Sequence, residues 1–339
     1  MPKVDFKVSK KYFNYYTIDY DELTKYFKEN GYVVIENLYT KEKCNELISR
    51  TVKAFETINP DLSHKSISSW KKDNLPPQTR TGMYQSLVCH ISPVTEVRND
   101  EKYKQIFREI YSRIKPNYSV EDDLVSSIDG INIKPNNIGP YNSQNAKDWA
   151  HMDQTKRDNI YKCIQGQVVL SDTTASFRCS PKSHLVFTKL LDICNVSEKD
   201  SSNWCKIPND KYEKCKELVE SVGGKWQIPI YTKAGSCILW LSTTVHSAKH
   251  SNSPEKEILE DPWFGWRAVY YITYRPKNEF TVRQLDKIKL NIENNRVMNH
   301  WTTKTFPVVS GIGFYPLENY NKNIAKYINN PKLIYELKV

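Results

Sequence analysis

The sequence predicts a mainly β protein with flanking helices, and three observations predict it. Short apolar runs bounded by turn residues recur through the middle of the chain: Asp129–Pro135, Gln165–Asp172, Lys225–Ile230, Ser236–Leu241 and Arg267–Tyr274. Their length and their β-branched and aromatic content suit strands rather than buried helices. The residues before them carry apolar side chains at helical spacing instead, as in Cys44, Leu47, Ile48, Val52 and Phe55. Finally, the pair His151-x-Asp153 puts an imidazole and a carboxylate two residues apart, where an extended strand aims both at one point.

In chain order, the first fifteen residues are basic and aromatic without a period, and read as an irregular lead-in. A helix starts at Asp19, with Glu22 at the reciprocal capping position and Leu23, Tyr26 and Phe27 on one face. Gly31 supplies its left-handed end. Tyr32–Ile35 is a short buried strand, and Thr40 caps a second helix. Residues 58–100 are polar and proline-bearing, and read as long loops and turns. A third helix carries Tyr103, Ile106, Phe107, Ile110 and Tyr111 as a core stripe.

The strand near 129–135 alternates Asn132 and Lys134 on one face with Ile131 and Ile133 on the other, and Pro135 ends it. A loop from Asn136 to Asp148 leads to His151. Asp210 and Glu213 read as the capping pair of a helix closed by Gly223-Gly224. The strand from Ser236 delivers His246, residues 250–262 loop out, and an amphipathic stretch lies near 282–292. The expected organisation is one structural domain in three parts: a helical region over 1–126, a β core over 127–276 and a C-terminal cap over 277–339.

Composition bounds the partners. The formal net charge of +10 favours acidic ligands through long-range steering, although a solvated Lys-rich surface accounts for the larger share of it. The eight cysteines form no Cys-x-x-Cys pair, and Cys44, Cys89 and Cys237 sit in apolar runs as small hydrophobes. Reduced thiols of this kind predict an intracellular compartment. The opening residues lack a signal-peptide core, and no run approaches the roughly 20 apolar residues of a membrane span. A soluble protein with no membrane partner is expected.

The chemistry rests on His151, Asp153 and His246. Two imidazoles and a carboxylate suit Fe(II), and such a set leaves about three cis positions open on a non-haem iron. The order His-x-Asp, distal His, then Arg267 at the head of another strand resembles the Fe(II)/2-oxoglutarate dioxygenases, and most closely their phytanoyl-CoA dioxygenase-like branch. The helix–Asn-Gly-Tyr-Val-Val-Ile–helix opening at 19–56 resembles that branch too. So does Ser180-Pro-Lys-Ser-His184, where Lys182 replaces the family's Gly. The resemblance covers about residues 20 to 276.

This resemblance implies a double-stranded β-helix (jelly-roll, cupin-like) core with Fe(II), 2-oxoglutarate and O2 as its reactants. It implies hydroxylation of a small-molecule C–H bond, with oxidative decarboxylation of 2-oxoglutarate to succinate and CO2. Halogenating variants of the fold have Gly or Ala at the carboxylate position, which Asp153 fills here. Arg267 would clamp the distal carboxylate of 2-oxoglutarate through two parallel hydrogen bonds, with Arg275 as the competitor. Asn132 would touch the cosubstrate or simply pair with a loop, and Met152 would border the cosubstrate or simply pack. Gly130 stands where ectoine hydroxylases have a substrate-binding Arg, which argues against ectoine. His64, His90, His184, His250 and His300 read as structural or surface residues, and Cys163, Cys179 and Trp240 as core. Two alternatives stand beside this reading: a nucleic-acid-directed oxygenase, suggested by charge and aromatics, and a non-catalytic basic binding module on the same fold.

Overall fold

The structure, a computed structural model, describes residues 11–303 apart from 72–73, 77, 81, 86, 136–148, 173–176, 201, 249–262 and 264. The expected loops over 136–148 and 250–262, His250, and the cap beyond 303 therefore lie outside the described residues. The strands in chain order are β1 (Tyr12–Asn14), β2 (Tyr32–Glu36), β3 (Gln78–Arg80), β4 (Met83–Tyr84), β5 (Leu124–Ser126), β6 (Ile131–Pro135), β7 (His151–Met152) and β8 (Ile164–Val169). They continue as β9 (Phe177–Cys179), β10 (Cys205–Lys206), β11 (Ile228–Pro229), β12 (Ser236–Leu241), β13 (His246–Ala248), β14 (Trp266–Tyr271) and β15 (Tyr274–Pro276). The helices are α1 (Tyr20–Asn30), α2 (Lys41–Ile58), α3 (Ser92–Asn99), α4 (Glu101–Ile114), α5 (Phe187–Ile193), α6 (Tyr212–Ser221) and α7 (Val282–Glu293).

An eight-stranded sheet runs β1-β2-β12-β8-β14-β6-β4-β3, and a five-stranded sheet runs β10-β7-β13-β9-β11. Strands β5 and β15 form a separate pair. Alternation divides the large sheet cleanly. Val33, Ile35, Leu239, Leu241, Ala268 and Tyr270 belong to the main apolar core with helices α1, α2 and α4. Their neighbours Tyr32, Val34, Ile238, Trp240 and Val269 point the other way, and pack with Phe177 and Cys179 of the small sheet. The rings of Phe177 and Trp240 are 4.8 Å apart across that gap. The two sheets therefore face each other.

The helix ends follow local chemistry. Asp19 accepts hydrogen bonds from the N–H groups of Asp21 and Glu22, and Thr40 from that of Lys43. Gly31 ends α1 at φ 75°, and a Cβ there would lie 2.5 Å from His184 Nδ1, so only glycine fits this close approach. All five residues of the expected α4 stripe are fully buried.

Several details differ from expectation. The lead-in holds β1, which pairs in parallel with β2. Residues 58–100 contain α3, opened by a proline, and the β3–β4 hairpin that extends the large sheet beyond β6. Asp210 does not cap α6: it sits within a 3-10 turn at Asn209–Lys211, and α6 begins after Lys211 with no side-chain cap. Lys182 takes the left-handed conformation at φ 67°, which glycine adopts most readily.

Candidate metal centre

Strands β7 and β13 are antiparallel neighbours, with His246 directly opposite His151. Each ring is set by its own backbone. His151 Nδ1 lies 3.0 Å from the Trp149 carbonyl oxygen, and His246 Nδ1 lies 3.0 Å from that of Thr244. A carbonyl can only accept, so Nδ1 carries the proton that it donates, and Nε2 of each ring is the atom left to bind a metal. Both Nε2 atoms face Asp153 Oδ2, at 3.7 Å from His151 and 3.2 Å from His246. Donor atoms about 2.1 Å from a common ion and at right angles to one another lie about 3 Å apart, so this set fits one metal ion. His151, Asp153 and His246 are all buried, and their ligand atoms lie within 4.8 Å of one another.

Neighbours hold this triangle in place. Trp149 stacks on His151 with ring centroids 4.3 Å apart, and its indole N–H donates to the Ala248 carbonyl. The Gln165 amide donates to Asp153 Oδ2 at 3.0 Å, and the Asp153 N–H donates to the Ser242 carbonyl at 2.9 Å. Burial alone would raise the Asp153 carboxyl, but His300, His151 and His246 outweigh it and hold it below the usual carboxylate range.

Beside the apolar patch of Tyr32, Val34, Trp240 and Val269, the facing wall of the large sheet carries polar side chains, most of them buried. Asn132 and Lys134 come from β6, Gln165 and Gln167 from β8, and Arg267 and Tyr271 from β14. Arg267 is the register partner of Lys134 and donates to the Tyr271 hydroxyl at 3.0 Å. Burial first, and then the charge of Arg267, push the Lys134 ammonium down to about 7. The β3–β4 turn seals it: a Cβ at Gly82 would lie 2.6 Å from Lys134 Cδ. The side-chain oxygens of Asn132, Gln165 and Gln167 are buried there without a hydrogen-bond partner among the described residues.

The other expected residues fall as follows. Arg275 lies on β15, where it donates to the Trp301 carbonyl at 2.9 Å and to Glu279 at 2.8 Å, and its guanidinium covers the faces of Phe280 and Trp301. Met152 is turned away from the site. It packs with Ala150, Phe187, Leu190 and Val219 behind the small sheet, because the alternation that aims its two neighbours inward sends it outward. His64, His90 and His184 bond to Glu56, the Arg296 carbonyl and the Lys28 carbonyl respectively. Cys163, Cys179 and Trp240 are buried. His300 is not remote: its Nε2 lies 4.0 Å from Asp153 Oδ1. Its distance in sequence hid it, and so did the absence of any motif around it.

The phytanoyl-CoA dioxygenase family profile matches residues 27–256, well over half of the chain. The chain belongs to the phytanoyl-CoA dioxygenase family. The match takes in all three residues of the candidate metal centre, while Arg267 and His300 lie beyond it. Two solved structures agree in fold. GlcNAc Inducible Gene 2, GIG2 (DUF1479), from Candida albicans is 14% identical, with 96% of this chain and 85% of that one covered and a TM-score of 0.54. The hypothetical protein JW0805 from Escherichia coli is 13% identical, with 95% and 86% covered and a TM-score of 0.56. The epimerase SnoN, in complex with Fe3+, alpha ketoglutarate and nogalamycin RO, is 13% identical over 76% of this chain and 83% of that one, at a TM-score of 0.44. A comparison with curated proteins finds no match. Among the described residues of this dioxygenase-family chain, no helix is long and apolar enough to cross a membrane.

Proposed function

We propose that this chain is an Fe(II)/2-oxoglutarate-dependent dioxygenase, built on a double-stranded β-helix core, that hydroxylates a C–H bond of a small molecule. The observation that carries the reading is the convergence of His151 Nε2, His246 Nε2 and Asp153 Oδ2, with both imidazole Nδ1 atoms already engaged by carbonyls. Iron held there would supply oxygen activation and the oxidative decarboxylation of 2-oxoglutarate to succinate and CO2. The protein's own share is positioning. Arg267 offers a planar guanidinium to the distal carboxylate of 2-oxoglutarate, and the Tyr271 hydroxyl steadies it. Lys134, its cross-strand partner, stands beside it at the same end of the wall. Asn132 presents a buried amide oxygen to the cosubstrate. The buried setting of these groups excludes water that would compete for the carboxylate.

Succinate formation tests this reading. Purified protein given Fe(II), ascorbate and 2-oxoglutarate is expected to release succinate slowly alone and faster with its substrate, while Asp153→Ala releases none above background. Equal succinate from both proteins, with broad metabolite pools present, would remove the oxygenase reading and leave the basic binding module.

A further inference from the structure

The segment that follows α7 returns to the metal centre and is fastened there at several points. The Met298 N–H donates to the Ile128 carbonyl at 2.9 Å, and His90 Nε2 lies 3.1 Å from the Arg296 carbonyl. The Trp301 indole N–H donates to the Asp153 carbonyl at 2.7 Å, and Arg275 donates to the Trp301 carbonyl at 2.9 Å. His300 sits inside this clasp, between two buried carboxylates. Its Nδ1 lies 3.8 Å from Asp129 Oδ2 and its Nε2 lies 4.0 Å from Asp153 Oδ1. Asp129 is itself fixed, accepting from the Gly130 N–H at 2.7 Å and from the Gln85 amide at 3.2 Å.

We infer that His300 is a positioning residue of the metal centre, holding the outer oxygen of Asp153 so that Oδ2 alone faces the ion. This rests on the reading of His151, Asp153 and His246 as metal ligands. The carboxylate has two oxygens with different surroundings. Oδ2 faces both imidazoles and the Gln165 amide, whereas Oδ1 lies 4.0 Å from His300 Nε2. A ligating carboxylate needs its free oxygen held if it is to bind through one atom and leave neighbouring positions open. His300 Nε2 is buried and has no hydrogen-bond partner among the described residues, as expected of a group that waits on its neighbour's final position. A movement of about 1 Å brings the ring to hydrogen-bonding distance of Asp153. The family match ends at residue 256, so this contribution comes from the chain beyond it.

Mn(II) binding to the full chain, followed by the paramagnetic resonance of the free ion, tests the inference without turnover. Three variants separate its elements. His300→Gln keeps an N–H donor near the place of Nε2, His300→Phe keeps a ring beside Trp301 without nitrogens, and His300→Ala keeps neither. Loss of an outer hydrogen bond to a metal ligand costs about 10–100-fold in metal affinity. Alanine and phenylalanine are expected to show that loss, and glutamine to recover most of it. Affinity equal to wild type in the phenylalanine variant overturns the inference, as does recovery by phenylalanine but not by glutamine, because either result makes the ring mere packing. Circular dichroism checks folding, and if the alanine variant unfolds, the other two still decide. A wild type that binds no Mn(II) removes the metal centre itself; tight binding by wild type and all three variants removes only His300.

Discussion

The outer face of the eight-stranded sheet and the polar stretch of its inner face, carried by β6, β8 and β14, are both buried and are built to opposite rules. Leu239 on one face and Gln167 on the other are both essentially inaccessible, at 0% and 1% exposure. Leu239 lies among apolar side chains from helices and strands, whereas the Gln167 side-chain oxygen has no partner among the described residues. An unsatisfied buried polar group costs about 1–3 kcal/mol, so a wall holding several is a standing cost to stability. Such a wall is explained when its polar groups are kept for a ligand, while the outer face supplies the stability that carries them.

The sharpest way to break that contrast is on the outer face. Leu239→Ala should destabilise the protein by about 2–5 kcal/mol, because it removes a large side chain from the middle of the core. Denaturant melts would measure the loss. Mn(II) affinity of the folded variant should stay at the wild-type value, and a parallel fall would show that the two faces do not divide the work.

The two buried arginines sharpen the same contrast. Arg267 opens β14 on the polar wall, whereas Arg275 is engaged with Trp301 and Glu279 outside it. Losing a well-placed charged partner costs about 2–5 kcal/mol, or tens- to thousands-fold in affinity. Arg267→Lys should therefore weaken 2-oxoglutarate binding toward the lower part of that range, since the charge survives and the paired geometry does not. Iron binding should persist. Arg275→Lys should act on stability and leave 2-oxoglutarate affinity nearly unchanged. Titration of the Fe(II)–2-oxoglutarate absorption band measures both, and the reverse ranking would move the clamp to Arg275.

Lys134 gives the polar wall a signature in pH. Burial and Arg267 lower its ammonium from an ordinary 10.5 to about 7 in the folded protein. Between those values the unfolded chain holds a proton that the folded chain has lost, so stability rises with pH across that window. The gain is at most about 1.4 kcal/mol per pH unit, and below pH 7 the penalty for the buried charge is present in full. Lys134→Met should be most stabilising near pH 7 and lose that advantage towards pH 10. Melts across this range check it; a constant difference would mean that Lys134 does not titrate there.

Much of this was legible because long elements carry a period. The caps at Asp19 and Thr40, the α4 stripe and the alternation of Ile131, Asn132, Ile133 and Lys134 follow local rules that tertiary packing did not override. Strands of two or three residues, such as β9 and β10, are too short to show any period, so the small sheet could be read only at its two histidines and at the run Lys225–Ile230 that holds β11. The helix expected to be capped by Asp210 begins later because Pro208 leads into a separate turn. Met152 was legible after all: the alternation that unites His151 with Asp153 excludes the residue between them. His300 could not be read, since only the return of the chain after α7 brings it to Asp153.

The smallest expected effect has the most telling sign. On the outer face, shrinking or polarising a core side chain such as Leu239 should destabilise, because it lies among apolar side chains. On the inner face, Gln167→Met keeps the volume and removes a buried amide whose oxygen is unpaired. Replacing such a group by an apolar one of similar shape is neutral or stabilising, so the variant should gain up to about 1 kcal/mol. Mn(II) affinity should not change, because Gln167 bonds none of the three candidate ligands in the described structure, whereas Gln165 does. Substrate-stimulated succinate release should fall if the polar wall is kept for a ligand, since the lost amide lies on the same strand face as Gln165. A loss of stability of 1 kcal/mol or so would mean that the Gln167 amide is already satisfied in solution, and that this wall is held together for the fold rather than kept open for a ligand.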